Sequence, residues 1–262
     1  MRIRLDAELV RRGLARSRES AVELIESGNV LVKGIPATKA ATQVDAETSI
    51  TLAKSRDEYV SRGGHKLAGA LDTFSAITVT GKTALDAGAS TGGFTDVLLR
   101  RGAKKVIAVD VGYGQLAWPL QQDPRVEIHD RTNIRSISPE LIGEKVDLVV
   151  ADLSFISLTL VIPALVSVAK PDADFVIMVK PQFEVGKEKL GAGGVVREPT
   201  LRKSAIWEVA QSARSVGLGT VGAVASPLPG PSGNVEYFLW LRQGDEMISE
   251  VEFDAAIAKG PQ

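Results

Sequence analysis

Residues 86–94 read Asp-Ala-Gly-Ala-Ser-Thr-Gly-Gly-Phe, and this stretch decides the fold. It follows a short apolar run and precedes an apolar segment with helical spacing, which predicts a turn between a strand and a helix. Gly88, Gly92 and Gly93 let the backbone pass close to a ligand, and Asp86 lies at the strand end where open α/β sheets bind ligands. The sequence therefore predicts a nucleotide-like ligand at this turn.

The glycine spacing and the neighbouring acidic residues narrow the choice of ligand. The glycine spacing is not Gly-x-Gly-x-x-Gly, which disfavours nicotinamide and flavin cofactors. Asp110 ends the next predicted strand, and its carboxylate can accept hydrogen bonds from ribose hydroxyls. Asp86 would repel a phosphate but suits an amino or sulfonium group. These features favour S-adenosylmethionine, although the glycines alone are also compatible with a tight turn in another Rossmann-like protein.

The rest of the chain beyond residue 60 predicts alternating strands and helices, which is typical of a doubly wound α/β sheet. Apolar residues recur at helical spacing over 201–216. The strands are predicted at Thr83–Ala87, Lys105–Asp110, Val126–His129, Val146–Ala151, Phe175–Lys180, Thr220–Ala225 and Tyr237–Arg242.

Composition excludes several other classes of protein. The chain has 262 residues, 44% of them hydrophobic, which is enough for two unequal domains. It has no cysteine and two histidines, so we expect neither thiolate chemistry nor a metal site. The uncharged run 153–169 is short for a membrane span and contains Pro163, which favours a buried helix. With no secretory signal pattern, we expect a cytoplasmic protein without a membrane role.

Basic residues concentrate at the N-terminus although the net charge is −1. Such a cluster suits phosphate contacts, which position RNA without reading its sequence. Nearby glutamates leave an ordinary solvated face as the alternative. The local pattern predicts helices over 6–13 and from Ser17 to near Gly28, a strand over 29–33 and a turn at 34–36. The candidate RNA-binding residues are Arg4, Arg11, Arg12, Arg16 and Arg18.

Four charged residues flank the apolar strands. Asp152 follows the fourth strand, Lys180 ends the fifth, Glu236 precedes the last, and Lys66 opens a helix before the first. Charges at such positions are costly unless they are paired. The residues alone are compatible with a structural ion network or with a site that handles protons.

Ordered motifs along the chain resemble known families. Arg4-Leu5-Asp6, the run 14–18 and the spaced pattern from Leu24 to Gly34 resemble S4-type RNA-binding domains. Together with 86–94, the runs 61–67, 110–116, 152–157, 180–184 and 229–236 resemble the TlyA or hemolysin A family, above all its actinobacterial members. The resemblance implies an S4-type domain over 1–56, a linker over 57–60 and, over 61–262, a Rossmann-like class I S-adenosylmethionine-dependent methyltransferase domain similar to FtsJ/RrmJ.

The resemblance also implies an activity, which is 2′-O-methylation of cytidine ribose in ribosomal RNA of both the 30S and 50S subunits, with susceptibility to capreomycin. In the matching tetrad we expect Lys180 to be the base, Asp152 to orient it, Glu236 to hold the ribose hydroxyl and Lys66 to stabilise the developing alkoxide. The cofactor-binding residues implied are Asp86, Gly88, Ser90, Gly92, Gly93, Phe94, Asp110, Val111, Asn133, Ile134 and Asp152.

Two further segments bear on function: the linker, which departs from the family pattern, and a glycine-rich segment near residue 190. Actinobacterial members carry Arg-x-Trp-Val in the linker, whereas this chain has Asp57-Glu58-Tyr59-Val60, which puts the coupling of linker and cofactor in doubt. The glycine-rich segment 186–197 is compatible with a lid over the substrate or with a simple flexible loop, and a lid is the expectation. The rival functions are a non-catalytic RNA-binding platform, a small-molecule methyltransferase and a hemolysin.

Overall fold

The chain divides into two compact units, Met1–Glu58 and Tyr59–Gln262. A computed structural model describes residues 3–26, 28–52 and 59–260. The predicted boundary at residue 56 and the linker residues Asp57 and Glu58 lie outside the described residues, so the domain limits stay a prediction. Tyr59 and Val60 belong to the second unit, where the Arg100 guanidinium lies 4.8 Å from the Tyr59 ring and Val60 N donates to Asp96.

The first unit combines two helices with short strands around a small apolar core. Leu5, Leu9 and Ile25 are fully buried in this core. Ser17 Oγ accepts a hydrogen bond from Ser20 N and so caps the start of the second helix. The elements are β1 Ile3–Arg4, α1 Leu5–Arg11, α2 Arg18–Glu26, β2 Val30–Val32, β3 Ile35–Pro36, β4 Gln43–Val44 and β5 Ile50–Leu52.

The turn predicted at 34–36 was placed one residue too late. Lys33 and Gly34 have φ values of +53° and +80° and form the reversal, while Ile35 and Pro36 already pair with β2. Proline is compatible with this position because β3 lies at the edge of its sheet, where no partner needs its missing N–H.

The second unit holds the larger sheet, and its elements alternate as predicted. Within residues 59–260 the strands are β6 Thr83–Ala87, β7 Lys105–Val109, β8 Val126–His129, β9 Val146–Ala151, β10 Ala169–Val179, β11 Leu218–Ala225 and β12 Tyr237–Gln243. The α-helices are α3 Arg62–Thr73, α4 Gly93–Arg100, α5 Trp118–Gln121, α6 Pro139–Ile142, α7 Ile162–Val168, α8 Pro181–Glu184, α9 Pro199–Ser215 and α10 Glu250–Ala258.

Within residues 59–260, the sheet has seven strands in the order β11-β12-β10-β9-β6-β7-β8. Every pairing from β10 to β8 is parallel, and β12 runs antiparallel between β10 and β11. The strand order reverses between β6 and β9, so this is the point where an open α/β sheet binds its ligand.

Both faces of the sheet are covered, which explains the nearly continuous apolar strands. Successive side chains of β6 point to opposite faces, so Leu85 joins one apolar cluster and Ala84 joins the other. Helices α7, α9 and α10 contribute to the first cluster, and α3 and α4 to the second. In the described residues, no helix is long and apolar enough to cross a membrane.

Candidate active site

The carboxyl ends of β6 and β9 lie in direct backbone contact. Asp152 N donates to Ala87 O at 3.0 Å. Gly88 has a φ of +86°, and a Cβ at this position would lie 2.5 Å from the carbonyl oxygen of Asp152. Only glycine fits here without strain, because of both its left-handed backbone and this close approach.

Asp86 is a fully buried carboxyl group at the end of β6. Thr95 Oγ1 donates to its Oδ2 at 2.7 Å, and Oδ1 has no hydrogen-bond partner among the described residues. Burial, with a further contribution from the negative charges of Asp152 and Asp110, raises the pKa of Asp86 to about 7. An unpaired carboxylate oxygen at this depth is suited to a cationic or hydrogen-bond-donating ligand group.

Asp110 ties the loops after β6 and β7 together. Its Oδ2 accepts from Ser90 N at 2.8 Å and its Oδ1 accepts from Gly112 N at 2.7 Å. These two bonds fix the carboxylate at the rim of a cavity of about 340 Å³, a volume within the usual range for small-molecule sites. The cavity is also lined by the predicted residues Gly88, Ser90, Val111, Asn133, Ile134 and Asp152.

Four predicted cofactor residues do not line this cavity: the buried Asp86, which lies beneath it at the end of β6, and three residues of the turn and helix that follow. Gly92 has a φ of +92° at the start of α4, where a Cβ would collide with Leu120. A Cβ on Gly93 would collide with Ser61. Phe94 is buried, with its ring centroid 6.0 Å from that of Phe238. These three residues shape the turn and pack α4.

The four residues of the predicted tetrad form two ion pairs. Lys66 Nζ donates to Glu236 Oε2 at 2.5 Å, and both side chains are buried. Lys180 Nζ lies 2.6 Å from Asp152 Oδ1 and donates to Ser154 Oγ at 2.9 Å. Lys66 lies in the second turn of α3, not at its opening as the sequence suggested.

A second cavity of about 400 Å³ meets the first at Ser154 and Phe155, which line both. Lys180 and Glu236 line the second cavity, while Asp152 lines the first. The Lys180–Asp152 pair therefore stands at the junction of the two cavities. A group bound in one cavity can react there with a group bound in the other.

Phe155 and Phe183 form an aromatic pair that sequence reasoning missed. Phe155 is 91% exposed, and its φ of +64° is unusual for a bulky side chain. The two ring centroids are 5.1 Å apart. Both rings line the second cavity, together with Gln182, whose Oε1 has no partner among the described residues. Their position inside the runs 152–157 and 180–184 was the available signal.

The N-terminal arginines contact two buried acids, Asp6 and Glu8. Arg4 and Arg18 pair with Asp6 at 3.0 and 2.9 Å. Arg11 and Arg12 pair with Glu8, whose pKa they lower to about 2 through hydrogen bonds.

These pairings divide the predicted RNA-binding arginines into two kinds. Arg12 also donates to the backbone carbonyls of Asp45, Ala46 and Thr48, so its guanidinium is engaged inside the unit. Arg16 is exposed and makes no ion pair with any described residue. Across the described residues, no cluster of three acidic or histidine side chains could hold a metal ion.

The Rossmann-like sheet with a cavity at its switch point belongs to a methyltransferase unit, and the smaller first unit is an S4 domain, as two family matches show. Residues 59–243 match the FtsJ-like methyltransferase family, and residues 3–50 match the S4 domain. The chain belongs to the TlyA or hemolysin A branch of these methyltransferases, as the sequence motifs predicted.

The relatives extend over nearly the whole chain. The 16S/23S rRNA (cytidine-2′-O)-methyltransferase TlyA of Mycobacterium tuberculosis is 59% identical, covering 99% of both chains. The 23S rRNA (cytidine-2′-O)-methyltransferase TlyA of Campylobacter jejuni is 31% identical over 86% of this chain and 93% of its own. The solved structure of a Streptococcus thermophilus protein described as a candidate hemolysin has a TM-score of 0.74 and 36% identity, covering 98% of this chain and 95% of that one.

Proposed function

We propose that this chain transfers the methyl group of S-adenosylmethionine to the 2′-hydroxyl of a cytidine in ribosomal RNA. The observation that carries the proposal is the Lys180–Asp152 pair at the junction of two cavities. One cavity suits the cofactor and the other suits the target nucleotide. The FtsJ-like family match and the names of the relatives support the same reaction.

The residues around the first cavity fit S-adenosylmethionine. When bound, the cofactor supplies an electrophilic methyl group on a sulfonium. Asp110 can accept from ribose hydroxyls because each carboxylate oxygen takes more than one hydrogen bond. Asp86 does not line the cavity itself, but it lies two residues before Gly88, which does, and its ionised form would offer a negative charge to the cationic part of the cofactor. Asn133 and Ile134 line the same cavity, and we assign them to the adenine.

Lys180 acts as the general base of the proposed reaction. To do so, Nζ would first release the proton that it holds in the ion pair with Asp152, and it would then accept the proton of the 2′-hydroxyl as that oxygen takes the methyl group. Asp152 and Ser154 hold Nζ in position through the contacts at 2.6 and 2.9 Å. General base catalysis of this kind typically contributes a factor of about 10² to 10⁴ in rate.

Glu236 keeps the role expected from the sequence, whereas we assign Lys66 a different one. Glu236 lines the second cavity, where it can accept a hydrogen bond from the target ribose. Lys66 lines neither cavity and donates to Glu236. We therefore assign Lys66 a positioning role through Glu236 in place of direct contact with the developing alkoxide.

Phe155 is suited to receive the target base. A 2′-hydroxyl inside folded RNA reaches such a cavity when its nucleotide leaves the stack, and exposed aromatic rings replace the lost stacking. The Phe155–Phe183 pair offers such a surface next to Lys180 Nζ, which lies 6.0 Å from the Phe183 ring centroid.

Ribosomal RNA of both subunits is the proposed substrate, as the name of the Mycobacterium tuberculosis relative indicates. The S4 domain supplies RNA affinity outside the catalytic unit. Because ribosomal subunits are assembled in the cytoplasm, the proposal places the enzyme there. A complete tetrad in two ion pairs speaks against an RNA-binding platform that has lost its chemistry.

The proposal is tested with 30S and 50S subunits from a strain that lacks this modification. Subunits are incubated with the chain and cofactor labelled in the methyl group, and the RNA is digested to nucleosides. We expect the label in 2′-O-methylcytidine from 16S and from 23S RNA, and none from subunits methylated beforehand. Label on a base, or no label from a chain that binds the cofactor, would contradict the proposal.

A further inference from the structure

The buried side-chain amide of Asn234 makes two hydrogen bonds to one distant segment of the chain. Asn234 lies in the loop before β12 and is only 3% exposed. Val196 N donates to Oδ1 at 2.9 Å, and Nδ2 donates to the carbonyl oxygen of Gly194 at 3.0 Å. The two bonds connect parts of the chain that are 38 and 40 residues apart.

The two connected parts both line the second cavity, and Asn234 lines it as well. Leu190 and Gly194 contribute from the segment 186–197, while Gly230, Pro231 and Ser232 contribute from the loop before β12. Asn234 thus cross-links the walls of the cavity assigned to the target nucleotide. It does not line the cavity assigned to the cofactor.

The same loop also packs against Glu236. Gly230 N donates to the carbonyl oxygen of Asn234 at 2.8 Å, which closes a turn. A Cβ on Gly230 would lie 2.6 Å from Glu236 Oε1, so this turn abuts the carboxylate. Displacing the turn would therefore move the wall and change the surroundings of Glu236 together.

The segment 186–197 is also held from the side of α9. Arg202 Nε donates to the carbonyl oxygen of Val196 at 2.9 Å, and the Val196 side chain is buried with Val185 and Ala205. Residues 194–196 are therefore anchored on both sides, by Asn234 and by α9.

We propose that Asn234 is a positioning residue that holds the two walls of the target-nucleotide cavity together and thereby sets the affinity for RNA, but not for the cofactor. The inference rests on the proposed function, because it assigns the second cavity to the target nucleotide. A buried hydrogen bond that leaves its partner unpaired when it is lost has a measurable cost, so the role can be tested by a single atom change.

Asn234→Asp is that change. The aspartate keeps an acceptor for Val196 N but has no donor for the carbonyl oxygen of Gly194. Gln243→Glu is the control for the amide-to-acid change itself, because Gln243 is exposed at the opposite, carboxyl end of β12 and lines neither of the two cavities. Asn234→Ser, which is too short to reach either partner, provides a second variant without added charge.

Two measurements are made on the full chain. The first is hydrogen exchange of amides 190–196 without RNA or cofactor, which we expect to be about tenfold faster in both Asn234 variants and unchanged in Gln243→Glu. The second is steady-state methylation, in which KM for ribosomal RNA should rise about tenfold while kcat changes less than about threefold. The dissociation constant of the cofactor should stay the same.

Unchanged exchange and unchanged KM in both Asn234 variants would overturn the inference. Loss of cofactor binding in both variants would also overturn it, because Asn234 would then support the whole fold and not one cavity. A failure of the proposed function has a different signature: the unmodified chain would not methylate ribosomal RNA, whereas the exchange difference would persist.

Discussion

Asp86 is the single residue whose burial most directly links cofactor binding to pH. Its pKa is raised to about 7 in the folded chain, whereas an unfolded aspartate titrates near about 3.9. Between these values the folded state retains a proton that the unfolded state has released. The free energy of unfolding of the cofactor-free chain therefore falls as pH rises through this window.

Asp86→Asn removes this titration. We expect the variant without cofactor to be more stable than the unmodified chain at pH 8. The difference should be at most a few kcal/mol, as follows from a pKa raised by about three units. Its affinity for the cofactor should fall at least about tenfold, since the free carboxylate oxygen is lost. Thermal unfolding across pH and calorimetric titration measure both effects. A variant that is less stable at pH 8 and binds the cofactor normally would contradict this role.

The buried Lys66–Glu236 pair can be separated into structural and functional contributions. Lys66→Met leaves a buried carboxylate without its partner, which should lower the free energy of unfolding by about 3–5 kcal/mol. The double change Lys66→Met with Glu236→Leu should recover most of that loss but no methyl transfer. Chemical denaturation measures the free energy of unfolding, and transfer of labelled methyl measures activity. Recovery of activity along with stability would reduce the pair to a structural ion network.

The loops after β9 and β10 are joined by Glu184, which lies at the end of α8. Ser157 Oγ donates to Oε2 at 2.5 Å and Leu158 N donates to Oε1 at 3.0 Å. These loops carry Phe155 and Lys180, so the carboxylate fixes the proposed base relative to the exposed aromatic ring. Burial raises the pKa of Glu184.

Glu184→Gln keeps the acceptor for Leu158 N but turns the acceptor for Ser157 Oγ into an NH2 donor, so the charge-assisted bond from the hydroxyl is lost. We expect kcat to fall about tenfold, the range of one buried hydrogen bond, while cofactor affinity is retained. Because protonation removes the same acceptor, kcat of the unmodified chain should fall as pH drops through the raised pKa, and the variant should lose this dependence. Ser157→Ala should add little to Glu184→Gln. Additive losses would show that the two residues act independently.

The order and type of the large elements could be predicted because their patterns depend on local sequence. All seven predicted strands occur within residues 59–260, and β6, β8 and β9 have the predicted limits. The start of β10 was missed by six residues because its first half, with Lys170 and Asp172, is exposed and irregular. Element limits of this kind depend on tertiary contacts that a sequence pattern does not contain.

The candidate site was predictable where its residues follow strand ends. Asp86, Asp110 and Asp152 could be placed because parallel strands bring their carboxyl ends to one edge. The packing role of Gly93 and the exposure of Phe155 could not, because both depend on distant segments. The bonds of Asn234 span about forty residues and have no local signature.

The chain as a whole combines a catalytic unit with an RNA-binding unit, and their arginines can be tested separately. Arg16→Ala removes an exposed cation, so the slope of log affinity for RNA against log salt should become shallower by about one, with unchanged stability. Arg12→Ala should instead destabilise the first unit, because Glu8 and three carbonyls lose a donor. Filter binding at several salt concentrations and thermal unfolding distinguish the two. An unchanged salt slope for Arg16→Ala would remove it from the RNA-binding surface.

The central claim is that Lys180, held by Asp152 between two cavities, removes the proton of the target hydroxyl. Single-turnover transfer of labelled methyl to ribosomal subunits, with Lys180→Ala beside the unmodified chain and cofactor affinity measured for both, tests it most directly. The account predicts equal cofactor affinity and a rate lower by about 10² to 10⁴ in the variant. A Lys180→Ala chain that binds the cofactor and transfers methyl within about threefold of the normal rate would contradict it.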